Sequence, residues 1–319
     1  MAKIQSKLKV ITYNIDGLPE QLDLNTLPWI LRPIAWIYKL IKKTTIVKVN
    51  DNTDTDKKSK HISKCLLKSD ADIIGVQEDF NYHNELMSEL KTTYNEGTYM
   101  GGFDLSKLFS KVEIFSHFPL PRFKADGLNL LTKNNRIKRF VEHIEKWNDC
   151  NGYIDHANDL LTHKGFRYYD LLIDDKFRID VYVLHMDADF QHTGEDITKD
   201  VEARKSQLHQ LTNHIIAKYL EGNISPIIIM GDTNSYVDRD FDVKNIQENL
   251  IDPINVHDQM NIEEVIPEGK KDCDRIFFIN HKNADYQLKV KDCNYDTTFN
   301  EEIGNVSDHY PFVVNFNII

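Results

Sequence analysis

Four short polar signatures in this chain each stand at the end of an apolar run: Thr12-Tyr13-Asn14, Val76-Gln77-Glu78-Asp79, His185-Met186-Asp187 and Gly231-Asp232-Thr233-Asn234. A fifth, Ser307-Asp308-His309, lies close to the C-terminus. Strand ends that bring carboxylates, amides and imidazoles together are how a rigid scaffold builds a hydrolytic metal site. Asp232, behind a glycine, can orient or deprotonate water, and Asn234 can donate to an oxygen that gathers charge. The simpler alternative for this pair is an Asx turn that closes the strand. Glu78 is a hard oxygen ligand suited to Mg²⁺, which keeps several of its waters, and Asn14 can hold Glu78 or the metal shell. A solvated strand end is the plain alternative for both. His185 can bind a phosphoryl oxygen or protonate a leaving group, or be structural. Asp308 beside His309 can fix the tautomer of the ring. Adjacent side chains on a strand point apart, so a loop is required for both to face one cleft.

The elements that must position these residues follow from apolar patterning. Residues 8–15 and 71–77 read as buried strands, and 57–68 as a helix with Ile62, Cys65 and Leu66 on one face. Residues 92–165 show only short apolar runs and predict weak strands with long loops. Residues 166–173 and 178–185 predict a hairpin turned by Asp174-Asp175-Lys176. Residues 195–220 give the clearest helix, with Val201, Leu208, Leu211, Ile215 and Tyr219 at helical spacing. Strands follow at 226–230, 274–279 and 310–319. Strands alternating with helices, together with hairpins, predict an α/β fold of two mixed sheets packed face to face with helices outside; a plain parallel doubly wound sheet is the alternative. No internal repeat is evident.

The chain has 319 residues, 41% hydrophobic and 28% charged, with ample length for a large core. The signatures run from residue 12 to 309 with no Pro/Gly/Ser linker between them, so a single domain over 1–319 is expected. A net charge of −11 disfavours indiscriminate binding to long nucleic acid, which needs many Lys and Arg contacts. It leaves room for an acidic metal site acting on phosphate, because the metal supplies positive charge. No stretch reaches the roughly 18 apolar residues of a membrane span. Met1 to Leu8 shows no signal-peptide pattern, yet a leader removed beforehand would leave the same start, so the compartment stays open. None of Cys65, Cys150, Cys273 and Cys293 forms a Cys-x-x-Cys pair, which argues against a zinc knuckle. Free thiols are the simple reading, and a Cys273–Cys293 bridge the other. An aromatic-rich insert at about 19–56 carries Trp29, Trp36 and Tyr38 near Lys39, Lys42 and Lys43. That combination suits a peripheral membrane contact at the headgroup layer. Packing over the sandwich as core is the alternative.

Taken in order, Tyr13-Asn14, Gln77-Glu78, His185, Gly231-Asp232-Thr233-Asn234, Asp274-Arg275-Ile276 and Ser307-Asp308-His309 resemble the endonuclease/exonuclease/phosphatase superfamily over nearly the whole chain. The resemblance implies a four-layer α/β sandwich and Mg²⁺-assisted phosphoester hydrolysis, with Mn²⁺ as the alternative ion. It implies Glu78 as metal ligand with Asn14 in support, and Asp232 and Asn234 on the water and transition state. It further implies His185 on the transition state or leaving group, and Asp308 orienting His309. Asp274 and Lys164 are assigned to substrate binding. Two branches compete. Asn14-Ile15-Asp16-Gly17-Leu18, Asp274-Arg275-Ile276-Phe277-Phe278 and the two C-terminal site motifs are similar to tyrosyl-DNA phosphodiesterases, although Tyr13 stands where that branch usually has Trp. The segment Asp159 to Phe166, with Lys164-Gly165, is similar to sphingomyelinases, as is Arg204-Lys205-Ser206-Gln207-Leu208. The expected substrate is a phospholipid of the sphingomyelin type, with a DNA end or tyrosyl-DNA bond as alternative and a non-catalytic binding module as a third reading. A monomer is expected.

Overall fold

The computed structural model describes residues 3–17, 55–80, 83–101, 125–151, 162–189, 197–267, 272–301, 304 and 306–319. Trp29, Trp36 and Tyr38 of the aromatic insert lie outside the described residues, as do Asp159 to Leu161 of the sphingomyelinase-like segment.

Buried β-branched runs form the centre of two sheets. The elements are β1 (Ser6–Asn14), α1 (Thr55–Ser69), β2 (Ile73–Gln77), α2 (His83–Leu90), β3 (Tyr94–Glu96), β4 (Asn129–Lys133), β5 (Ile137–Lys146), β6 (Gly165–Ile173) and β7 (Phe177–His185). They continue with α3 (Thr198–Leu220), β8 (Ile227–Asp232), α4 (Asp240–Ile246), a π-helical turn (Gln247–Ile251) and α5 (Asp252–Asn255). Last come β9 (Met260–Val265), β10 (Asp274–His281), β11 (Leu288–Tyr295), a 3₁₀ turn (Thr297–Asn300) and β12 (Phe312–Ile318).

One six-stranded sheet has the order β11-β12-β1-β2-β4-β3, the other β5-β6-β7-β8-β10-β9. Each is mixed: β1 with β2 and β7 with β8 run parallel, and their outer neighbours run antiparallel. Val10, Ile73 and Val314 of the first sheet pack on Val181, Ile228 and Ile276 of the second in one buried cluster. A second cluster lies between the outer face of the second sheet and Leu208, Leu211, Ile215, Ile246 and Ile254 of its helices. A third places Ile62, Leu66, Leu86 and Leu90 on the outer face of the first sheet. Helix, sheet, sheet and helix make the four-layer sandwich, which excludes the plain parallel alternative.

The buried interior strands stand where apolar runs predict them. The region 92–165 departs from expectation, because β5 is a ten-residue strand. Among the described residues it is an edge strand paired only to β6, and only part of its Ile-Lys-Arg-Phe-Val-Glu-His-Ile-Glu-Lys sequence is buried. Edges β9 and β11 and helices α2, α4 and α5 were likewise not expected. In the hairpin, Asp174 and Asp175 have φ of 53°, the left-handed conformation that Asp tolerates in turns. The four cysteines are free thiols, with Cys273 buried, so the Cys273–Cys293 bridge is not formed.

Register sets the working end. His185 pairs with Asp232, and Asp232 with Asp274, in one row across β7, β8 and β10. In the other sheet Asn14 pairs with Gln77, one residue before Glu78. The row requires Gly231, whose φ is 150° and where an added Cβ would lie 2.0 Å from Leu184 O. Gly231→Ala is therefore expected to destabilise the protein by roughly 2–4 kcal/mol, read by urea unfolding. Wild-type stability in that variant would show that β7 and β8 do not need this close approach.

Candidate active site

Asn14 is the hub between the two sheets. Its Nδ2 donates to Glu78 Oε1 at 3.2 Å and to Asp232 Oδ2 at 3.0 Å. Its Oδ1 accepts from Asp16 N at 3.0 Å, an Asx turn that reverses the chain after β1. The next residue, Gly17, passes so close to Glu78 that a Cβ there would stand 2.2 Å from Glu78 O. Ser307 Oγ donates to Asn14 O at 2.8 Å and accepts from His309 N at 3.1 Å, which pins the C-terminal loop to the end of β1.

Asp232 sits at the centre. Its Oδ1 accepts from Asn234 N at 2.9 Å, and its Oδ2 lies 3.5 Å from His185 Nε2 and 3.8 Å from His309 Nε2. Burial alone would raise its pKa. The facing charge of His309, with the bonds from Asn14 and Asn234 and the His185 ring close by, outweighs burial and holds it below the ordinary carboxylate range. Asn234 Nδ2 donates to Met186 O at 3.0 Å, and Lys164 Nζ to the same carbonyl at 3.2 Å. Trp147 Nε1 donates to His185 O at 2.7 Å, fixing the end of β7. Glu78, Asn234 and Asp16 all have left-handed φ, of 60°, 48° and 49°. Sparsely populated backbone at these three positions matches the concentration of strain at functional sites.

The two imidazoles are tuned oppositely. His185 is buried, and burial followed by the nearby Lys164 charge holds its pKa well below 6.5, so it is neutral. For His309 burial acts downward too, but Asp274 Oδ2 at 2.6 Å from Nδ1 overrides it and raises the pKa. Glu78 is pushed up to about 7 by burial, with Lys164 and the Asn14 bond acting against the rise. Burial keeps the neighbouring Cys273 a thiol.

The structure thus brings Asn14, Glu78, Lys164, His185, Asp232, Asn234, Asp274 and His309 to one end of the sandwich. Two sequence expectations need correction. Asp308 is not placed to orient His309: its side chain is 75% exposed and 3.7 Å from Nε2, the nitrogen that also faces Asp232. Asp274, expected to bind substrate, is fully buried and takes the Nδ1 position instead. Adjacent residues point apart, and the partner comes from the start of β10 across the fold. The sequence also assigned Ser307 no role, because its partner, the Asn14 carbonyl, lies far away in the chain at the end of β1. Lys164 was expected from the resemblance; its neighbour Gly165 has a packing reason, since a Cβ there would lie 2.0 Å from Glu145 O.

No protein-family model matches the chain, and no curated protein matches it. Solved structures do. A humanized TDP2 of D. rerio matches at 14% identity and a TM-score of 0.58, over 98% of this chain and 99% of that one. Beta toxin of Staphylococcus aureus matches at 16% and 0.59, over 96% and 99%. Sphingomyelinase C of Streptomyces griseocarneus matches at 14% and 0.57, over 98% and 99%. At these identities the likeness establishes the fold alone, the two-sheet α/β sandwich that this chain shares with all three.

The His309–Asp274 bond generates a direct test by NMR titration. Wild-type His309 is expected to stay protonated above the ordinary histidine range, because its raised pKa carries the charged form to higher pH. Asp274→Asn should return the ring to ordinary or lower values, while Asp308→Asn should leave it in place. The opposite pattern would reassign the orienting carboxylate to Asp308.

Proposed function

We propose that this chain is a divalent-metal-dependent phosphodiester hydrolase. The observation that carries the reading is the convergence of Glu78, Asn14, His185, Asp232, Asn234 and His309 from separate elements onto one end of both sheets. A non-catalytic binding module has no use for two oppositely tuned imidazoles around one buried carboxylate. The donor set fits Mg²⁺ or Mn²⁺: the Glu78 carboxylate offers hard oxygens, one of them held by the Asn14 N–H, and a buried carboxylate raised to about 7 gains from a cation beside it. Glu78 would hold the ion with Asn14 in support. When bound, the ion supplies Lewis-acid polarisation of the phosphoryl group and neutralises developing charge. A beta toxin structure with bound magnesium ions shares the fold.

The chain's own residues divide the remaining work. Water attacks phosphorus as the bond to the leaving oxygen breaks. Asp232, held ionised, is the acceptor for the water's proton. His309, kept charged by Asp274, serves as a cationic donor to the phosphoryl group rather than as the base. His185 is a neutral ring able to donate, and the Asn234 amide has a second N–H for a phosphoryl oxygen. Lys164 adds a positive charge on the Met186 side.

For the substrate we favour a phospholipid of the sphingomyelin type. Support comes from Lys164, a buried ammonium that bears on Glu78 and His185, and from the acidic balance of the chain. Sphingomyelinase C shares the fold. A DNA end is the second reading, favoured by the equal likeness to TDP2 of D. rerio, whose structure with a single-strand DNA product matches at a TM-score of 0.58.

Glu78→Ala is expected to lower turnover roughly 100-fold or more while leaving the melting temperature unchanged, and chelation with EDTA should do the same to the wild type. Full activity in EDTA would remove the metal from the mechanism. Substrate class is tested with sphingomyelin vesicles, lysophosphatidylcholine, inositol phosphates and a 5′-phosphotyrosyl oligonucleotide, each against Glu78→Ala as control. Turnover of sphingomyelin is expected; turnover of the oligonucleotide alone would transfer the assignment to DNA ends.

A further inference from the structure

On the outer face of the second sheet, His143 and Glu145 of β5 meet His214 of α3. One ligand atom from each lies within 4.8 Å of the others. The cluster stands apart from the catalytic row, which no member of it touches. His143 Nε2 is 3.1 Å from Glu145 Oε2, and the rings of His143 and His214 lie nearly parallel with centroids 5.4 Å apart. Four-coordinate zinc with bonds of about 2.0–2.1 Å holds its ligand atoms roughly 3.3 Å from one another. Small side-chain rotations therefore close the set.

His214 and Glu145 are each held by a neighbour in the way a metal site requires. Tyr182 Oη lies 3.0 Å from His214 Nδ1. With Nδ1–H donating to that phenol, Nε2 carries the lone pair, the arrangement that fixes a ligating ring. Phe166 and Tyr168 pack on the same imidazole and limit its rotation. Gln210 Nε2 donates to Glu145 Oε1 at 2.6 Å, leaving Oε2 toward His143. Burial lowers the pKa of His214, so the ring is neutral as a ligand must be. Burial would raise Glu145, but the bonds from Gln210 and His143 override it and keep the carboxylate ionised. Lys218, a cation bearing on His214, is tied to Glu221 at 3.1 Å.

We propose that His143, Glu145 and His214 form a second metal site that takes a borderline transition-metal ion of the zinc class and clamps edge strand β5 to helix α3. Two imidazoles and a carboxylate suit zinc or copper better than magnesium, which separates this site chemically from the oxygen ligands at Glu78. His143 is exposed, so the ion can enter and keep a water in the fourth position. The clamp has mechanical reach: just after β5, Trp147 N donates to Lys164 O at 3.0 Å and its indole to His185 O at 2.7 Å.

The test uses the full chain with Mg²⁺ in excess and Zn²⁺ as the probe. Equilibrium dialysis is expected to show one zinc equivalent fewer in His143→Ala than in the wild type. Saturating zinc should raise the wild-type melting temperature by roughly 5 °C more than that of the variant. Glu145→Gln, which keeps the shape of the strand, should reproduce both losses. Cu²⁺ substitution should give an electron paramagnetic resonance spectrum with coupling to two imidazole nitrogens, reduced to one in His143→Ala. Equal stoichiometry and equal thermal shifts in all three proteins would overturn the site. Activity is not the readout, so that result would leave the phosphodiesterase reading untouched.

Discussion

The working end of this protein depends on keeping one carboxylate ionised where water is scarce. Asp232 is 2% exposed, and an isolated buried carboxylate would take up a proton rather than hold charge. Four groups prevent this, and each arrives from a different place. Asn14 comes from the end of β1, His185 from β7, the Asn234 N–H from the turn after β8, and His309 from the loop before β12. Removing one partner from a buried charge costs more than the pair contributed, because the charge is left under-compensated. Folding of this end and ionisation of Asp232 are therefore a single problem. The left-handed φ of Asn234 belongs to the same solution, since the Asx turn is what aims its N–H at Oδ1.

The second constraint is that two imidazoles facing one carboxylate must not do the same thing. His185 and His309 both lie within 4 Å of Asp232 Oδ2. Burial and the Lys164 charge neutralise the first, while Asp274 charges the second. Pushing like groups apart in pKa is how one site obtains distinct proton roles near neutral pH.

Much of this is legible in the sequence, for a physical reason. Interior strands are buried on both faces, so Val-Ile-Leu runs mark them, and the polar residue that closes such a run stands at the end of the strand. Asn14, Glu78, His185 and Asp232 were found this way. Edge strands β5, β9 and β11 are half-solvated, and their patterning is too weak to mark them. The Asp274–His309 pair was misassigned because chain adjacency makes Asp308 the obvious partner. Only the antiparallel pairing of β10 with β8 brings Asp274 under the ring. The His143, Glu145 and His214 set was invisible for both reasons at once: it needs an unrecognised edge strand and a helix that crosses it.

Under the proposed function the central row acts on the phosphate and carries no information about what the phosphate is attached to. The shared fold reflects this, since TDP2 and sphingomyelinase C match almost equally well. Discrimination must come from the rim, and the sequence signal there divides into two unequal parts. Gly165 is explained by packing alone, because β5 approaches β6 too closely for a Cβ. It therefore carries no weight for a lipid. Lys164 is different: its buried ammonium, which donates to Met186 O and bears on Glu78, can under the proposed function also meet an anionic group entering from that side. Lys164 is held from behind by Trp147, and Trp147 by the end of β5. The position of this ammonium thus depends on an edge strand, the least constrained kind of element in a sheet. Under the proposed function, a fixed centre with an adjustable rim leaves the choice between a lipid and a DNA end to residues such as Lys164.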